Sequence, residues 1–207
     1  MKILKLIRQL CCLLLLLLLV SCNSDPQQLI PLRPNEVILA FGDSLTYGVG
    51  SGGQALSYPA QLNRLTARKV VNAGISGEIS ADGLKRLPGL LDEYEPELVI
   101  ICHGGNDLLR QLSKDELRAN LRGMFEAANS RDISVVMIAV PQPNLLLSDA
   151  DVYGELAAEL NIPLLSDTLG ELLSDNTYKS DAVHLNAQGY RKLAEAVAEL
   201  LSENGAI

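Results

Sequence analysis

The chain has 207 residues, 48% of them hydrophobic, which is room for one domain with a real core. Only 4% are aromatic, there is no tryptophan, and the formal net charge is −8. No basic block or stripe follows residue 20, which argues against a nucleic-acid-binding surface.

Residues 1–21 read as an export signal. Lys2, Lys5 and Arg8 form its positive end, and residues 10–20 form an apolar core too short to span a bilayer as a helix. Leu19-Val20-Ser21-Cys22 follows and resembles the bacterial lipobox, in which cleavage precedes the cysteine and that cysteine carries lipid. The competing readings are an ordinary signal peptide with small residues near its cut site and an uncleaved anchor. On the lipoprotein reading, cleavage removes three positive charges and no acids, leaving 14 basic and 25 acidic residues, a net −11. The expected location is the bacterial cell envelope, on the periplasmic face of a membrane to which Cys22 ties the chain. Cys11 and Cys12 lie in the discarded segment. Cys102 is left alone in an apolar run, where it reads as a small buried hydrophobe with no disulfide partner.

Residues 22–35 are polar, hold Pro26, Pro31 and Pro34, and read as a tether; residues 36–207 read as the single domain. Val37-Ile38-Leu39-Ala40-Phe41 is the apolar run of a buried strand, and it ends abruptly at Gly42-Asp43-Ser44-Leu45. Glycines 48, 50 and 53 then stand in formal G-x-G-x-x-G order. That loop starts several residues past the strand, and the next strand, residues 69–73, ends without an acid. The loop therefore reads as a flexible rim and not as a nucleotide site. Residues 58–68 read as a helix entered through Pro59. Residues 80–91 carry apolar side chains at helical spacing, broken by Pro88. Residues 98–102 form a third strand. Ser113-Lys114-Asp115-Glu116 fits a capping box that opens a helix to about residue 130. Residues 134–140 form a fourth strand, 152–160 a helix, 162–165 a short fifth strand and 186–203 a closing helix, with Leu193, Val197 and Leu200 on one face. Strands alternating with helices imply an α/β fold with a doubly wound parallel sheet.

A serine at the C-terminal end of a buried parallel strand sits where ligands meet open α/β sheets, although an isolated Asp-Ser is more often a turn or a helix cap. Three further blocks accompany it: Asn72-Ala73-Gly74, Gly104-Gly105-Asn106-Asp107 and Asp181-Ala182-Val183-His184. These four blocks, in this order, resemble those of the SGNH/GDSL hydrolases, over nearly all the chain after residue 35. Asn72 to Gly77, with Asp82-Gly83-Leu84-Lys85-Arg86-Leu87, looks closest to the branch holding bacterial thioesterase I/lysophospholipase L1 and arylesterase. The resemblance implies a three-layer α/β/α, flavodoxin-like arrangement around a five-stranded sheet.

A serine hydroxyl is a poor nucleophile until a base takes its proton. After residue 21 the only histidines are His103 and His184. His184 has a carboxylate three residues before it, Asp181, able to reach the far ring nitrogen and fix the tautomer. With the resemblance, Ser44, His184 and Asp181 are assigned as nucleophile, base and orienter. His103 is left as a strand-end or supporting residue, and Asp43 and Asp107 as local turn or network residues. Ester attack makes an oxyanion that needs fixed donors. The N–H of Ser44, the backbone at Gly74 and the side-chain amide of Asn106 are assigned to it on the matching blocks. Ligand sets for a metal are scarce and the reaction needs no cofactor. Leu145, Leu146 and Leu147, three adjacent apolar residues in the loop 141–150, are expected to bind the acyl part of a small-molecule ester or lysophospholipid. The alternatives are a carbohydrate O-deacetylase on the same scaffold and a lipoprotein that binds an envelope ligand without turnover.

Overall fold

The computed structural model describes residues 28–207. The export signal, Cys22 and the first part of the expected tether lie outside the described residues. Among the described residues there are five strands: β1 (Val37–Gly42), β2 (Lys69–Gly74), β3 (Leu98–Cys102), β4 (Ser134–Ile138) and β5 (Leu164–Leu165). They are all parallel, in the order β2-β1-β3-β4-β5. Every residue of β3 is buried, as are Ile38–Gly42 of β1 and Val135–Ile138 of β4. Helices cover both faces of such a sheet, so its inner strands are continuous apolar runs and not alternating ones.

Among the described residues eight α-helices accompany them: α1 (Ser44–Tyr47), α2 (Tyr58–Thr66), α3 (Ser80–Tyr94), α4 (Gly105–Leu109), α5 (Lys114–Asn129), α6 (Asp151–Leu160), α7 (Thr168–Ser174) and α8 (Ala187–Glu203). On one side α2 packs on α8, which also meets α7; on the other, α3 packs on α5, and α5 on α6. The result is the three-layer α/β/α arrangement. Strand order reverses between β1 and β3, and the crevice beyond their C-terminal ends is where such sheets bind ligands.

The local signals explain most boundaries. Ser113 Oγ accepts the Glu116 N–H at 3.2 Å and starts α5. Asn186 caps α8 by accepting from Gln188 and Gly189. On α8 the buried stripe is Leu193, Val197 and Leu201, with Leu200 only partly covered.

Two expectations are corrected. Pro88 does not break the second long helix, because α3 runs through it to Tyr94. Proline there removes one intrahelical hydrogen bond, at a cost of about 3 kcal/mol. Leu87 and Leu91 are fully buried on either side of it; burying each contributes about 2 kcal/mol, which offsets the loss. Nor is the stretch 22–35 a free tether throughout. Leu29 and Leu32 belong to the core, and their N–H groups donate to the carbonyls of Asn204 and Ala206 at 2.9 and 2.8 Å. From residue 28 onward the chain is part of the fold.

Candidate active site

Gly42 ends β1 against β3 so closely that a Cβ there would clash with Cys102 O and Thr46 Oγ1. The chain can therefore turn at once into α1. Asp43 caps that short helix, its Oδ1 accepting the Leu45 N–H at 3.1 Å. Burial pushes the Asp43 carboxyl above its ordinary range, against the N–H groups of Leu45 and Gly105 and the nearby imidazoles. Ser44 opens α1, and its N–H has no hydrogen-bond partner among the described residues.

His184 lies in the loop between α7 and α8. Its Nε2 is 3.0 Å from Ser44 Oγ, and its Nδ1 is 2.9 and 3.1 Å from the two oxygens of Asp181. Asp181 Oδ1 also accepts the N–H groups of Val183 and His184, at 2.8 and 2.9 Å. Its carboxyl lies below the ordinary range: partial burial works against the charge, but the Val183 N–H and the imidazole outweigh it. An ionised carboxylate only accepts, so Nδ1 carries the ring proton and Nε2 is free to accept from the serine hydroxyl.

The first part of the glycine-rich loop is packed against the fold and is not a flexible rim. Gly48, Gly50 and Gly52 all have positive φ, and Ser51 is buried. A Cβ on Gly50 would clash with Ser180 Oγ and Leu185 O, on both sides of His184. Tyr190 of α8 donates to Val49 O at 2.8 Å. Gly48 to Ser51 thus back the segment that carries His184, while Gly52 and Gly53 are exposed.

Gly74 is not at the site. It is paired with Gly42 in the sheet, and its N–H is taken by Asn72 Oδ1 at 3.0 Å. It is glycine because a Cβ would run into the backbone of Tyr47 where α1 crosses β2. The glycine that faces the site is Gly77. It sits in the turn closed by Glu78 N–H to Ile75 O, with φ +80°, and its own N–H is unbonded among the described residues. Gly77 closes the same Asn72–Gly77 stretch of sequence, but only the chain's path after β2 tells the two glycines apart. Asn106, in the first turn of α4, points its Nδ2 at Glu78 O (3.0 Å) and lies 3.5 Å from Asp43 Oδ2.

Ser44, Gly77, Asn106 and His184 open on one cavity of about 170 Å³, walled by Leu109, Val140, Pro141, Leu147, Leu173 and Val183. Of the leucine triplet only Leu147 reaches it. Leu145 and Leu146 are 98% and 84% exposed at the tip of a loop closed by a bridge between Pro141 and Asp149. Their assignment to the cavity is corrected: the backbone turns at Leu147, whose φ is +48°, and points the other two outward.

His103 is fully buried, with both ring nitrogens engaged. Nδ1 accepts the Gly104 N–H at 2.9 Å and Nε2 faces Glu78 Oε2 at 3.1 Å, so it offers Ser44 no base. Asp107 accepts the Ser80 N–H and hydroxyl at 2.8 and 2.6 Å and ties α4 to α3. The cluster of Glu78, Arg86 and His103 is not legible in the sequence, since its members lie eight and 17 residues apart, in two loops and on α3. Among the described residues no group of His, Cys, Asp or Glu could hold a metal ion.

The model of the GDSL-like Lipase/Acylhydrolase family matches residues 40–192. The chain is 30% identical over 174 residues to the "Thioesterase 1/protease 1/lysophospholipase L1" of Escherichia coli K12, covering 80% of this chain and 83% of that one. It is 31% identical over 179 residues to an arylesterase of Vibrio mimicus, covering 82% and 90%. Among solved structures, that of TesA superposes with a TM-score of 0.75 at 30% identity, covering 82% of this chain and 99% of that one. A chain matched over this length, with a cavity built where the fold binds ligands, belongs to the GDSL-like lipase/acylhydrolase family and is an ester hydrolase.

Proposed function

We propose that the protein hydrolyses carboxylic esters or thioesters of acyl groups through an acyl-enzyme on Ser44. The observation that carries this is the 3.0 Å contact of Ser44 Oγ with an imidazole whose tautomer Asp181 fixes. As Oγ attacks the carbonyl carbon, His184 Nε2 takes its proton and Asp181 stabilises the imidazolium. The oxyanion meets the N–H groups of Ser44 and Gly77 and the Asn106 amide, donors fixed before the charge develops. His184 then protonates the leaving alkoxide or thiolate. In the second half it activates a water that releases the acid and restores the Ser44 hydroxyl.

The walls of the cavity support an acyl or aryl group in preference to an acetylated sugar, since Leu109, Val140, Pro141, Leu147, Leu173 and Val183 offer few hydrogen-bond partners. A void of this size accepts a group of about benzene's dimensions, with longer chains running out past Leu147. The names of the relatives, a thioesterase/lysophospholipase and an arylesterase, fit that class. The lipobox-like Cys22 supports the further proposal that the enzyme is a lipoprotein of the bacterial envelope.

A panel of p-nitrophenyl esters from acetyl to palmitoyl, with fluorophosphonate labelling, tests the reading. Ser44 should be labelled, and turnover should favour acyl chains longer than acetyl. Ser44→Ala and His184→Ala should each lower kcat by roughly 10⁴–10⁶, the double variant being little worse than either. A preference for acetyl alone would favour the deacetylase reading, and an unlabelled Ser44 would sink the mechanism.

A further inference from the structure

We infer that Glu78 is a positioning residue for the oxyanion donors: its carboxylate, clamped by Arg86 and His103 beneath the site, holds the Asn106 amide and the Gly77 N–H at their posts. This deepens the acyl-enzyme reading and rests on it.

The Glu78 side chain is 7% exposed. Oε1 accepts Arg86 Nε at 2.9 Å and Oε2 accepts Arg86 Nη2 at 2.6 Å, a two-pronged pair of fixed geometry. Oε2 also accepts from His103 Nε2. That nitrogen carries the proton because Nδ1 accepts the Gly104 N–H. Burial works against the charge, but the hydrogen bonds of His103 and Arg86 outweigh it and bring the Glu78 carboxyl down to about 2. The clamp is anchored in the sheet: Arg86 donates to Ala73 O at 3.1 Å and lies 4.5 Å over the Phe41 ring. His103 follows β3 directly, and its carbonyl accepts Tyr153 OH at 2.8 Å. Helix α3 is shaped around it, for a Cβ on Gly83 would run into the His103 ring.

The main chain of Glu78 ties this anchor to the reaction. Its N–H closes the turn that holds Gly77 at φ +80°, and its carbonyl accepts Asn106 Nδ2. One residue thus touches both donors with its backbone and the sheet with its side chain. A salt bridge serving stability alone has no need of that place, and buried ion pairs are weak stabilisers.

The test is a pair of backgrounds read by kcat and KM on one soluble p-nitrophenyl ester. Glu78→Gln should lower kcat about tenfold in the native chain with KM nearly unchanged, as for a supporting residue of a site. In the Asn106→Ala background the same change should cost clearly less, about threefold, because only the Gly77 N–H is then left for it to position. His103→Leu should behave like Glu78→Gln, whereas His103→Gln, which keeps a donor near the Nε2 position, should restore kcat to within about threefold. The two His103 variants put the same question without touching the carboxylate if Glu78→Gln does not fold. Equal losses in both backgrounds, a change confined to KM, or a lowered Tm at full kcat would overturn the inference. Failure of the underlying reading would look different: Asn106→Ala alone would leave kcat intact.

Discussion

Gly74 and Gly77 stand three residues apart, and each is glycine for its own reason. At Gly74 an added Cβ meets the backbone of Tyr47, so Gly74→Ala should destabilise the fold by about 1–3 kcal/mol or more, seen in urea unfolding. At Gly77 there is space for a Cβ, its closest neighbour being the far end of Arg110 at 4.0 Å. The cost there is the left-handed backbone, about 1–2 kcal/mol, which a shift of the turn would relieve. Gly77→Ala should therefore cost kcat more than stability. The opposite pattern, activity lost at 74 and stability at 77, would return the donor to Gly74. Glu78 adds a pH dependence. Its folded carboxyl is depressed from 4.5 to about 2, so its contribution is fully present above about pH 4.5 and is lost as pH falls toward 2. Unfolding free energy should fall over that window, and less steeply in Glu78→Gln than in the native chain.

Among the elements, the loop 48–53 and the segment that bears His184 behave as one piece, because Gly50 packs against Ser180 and Leu185. Gly50→Ala should push that segment away from Ser44. A displacement of about 1 Å at a reacting group costs on the order of 10²-fold in rate. The expected result is a large fall in kcat with Ser44 still in place, checked against the rate of fluorophosphonate labelling. This pairing shows what could and could not be read from the sequence. The buried strands were legible as apolar runs, and α5 and α8 as periodic stretches with a cap. The blocks holding Ser44 and the Asp181–His184 pair were legible because each is a local motif. Helices α1, α4 and α7 were missed because four to seven residues span two turns at most, too few for a hydrophobic period to repeat recognisably. The packed glycine loop, Gly77 and the Glu78 clamp were missed because each depends on partners brought in from another element.

At the scale of the molecule, residues 28–32 strap the C-terminus. Leu32 is buried and hydrogen-bonded to Ala206, so Leu32→Ala should cost about 2–5 kcal/mol, read as a lowered Tm. A free tether would show no change. The strap also fixes a direction. Gln28, Leu29 and Ile30 lie beside Ile133, Ser134 and Pro163, at the edge of the sheet where β4 and β5 begin. Ser44 stands at the other edge, one strand length away, about 17–20 Å. If Cys22 bears lipid, the six residue-to-residue steps from it to Gln28 reach at most about 22 Å. The domain would then be held close to its own leaflet by the end opposite the cavity. An enzyme mounted that way would graze on what the aqueous space or a facing surface brings to it, and leave the lipids beneath its feet untouched.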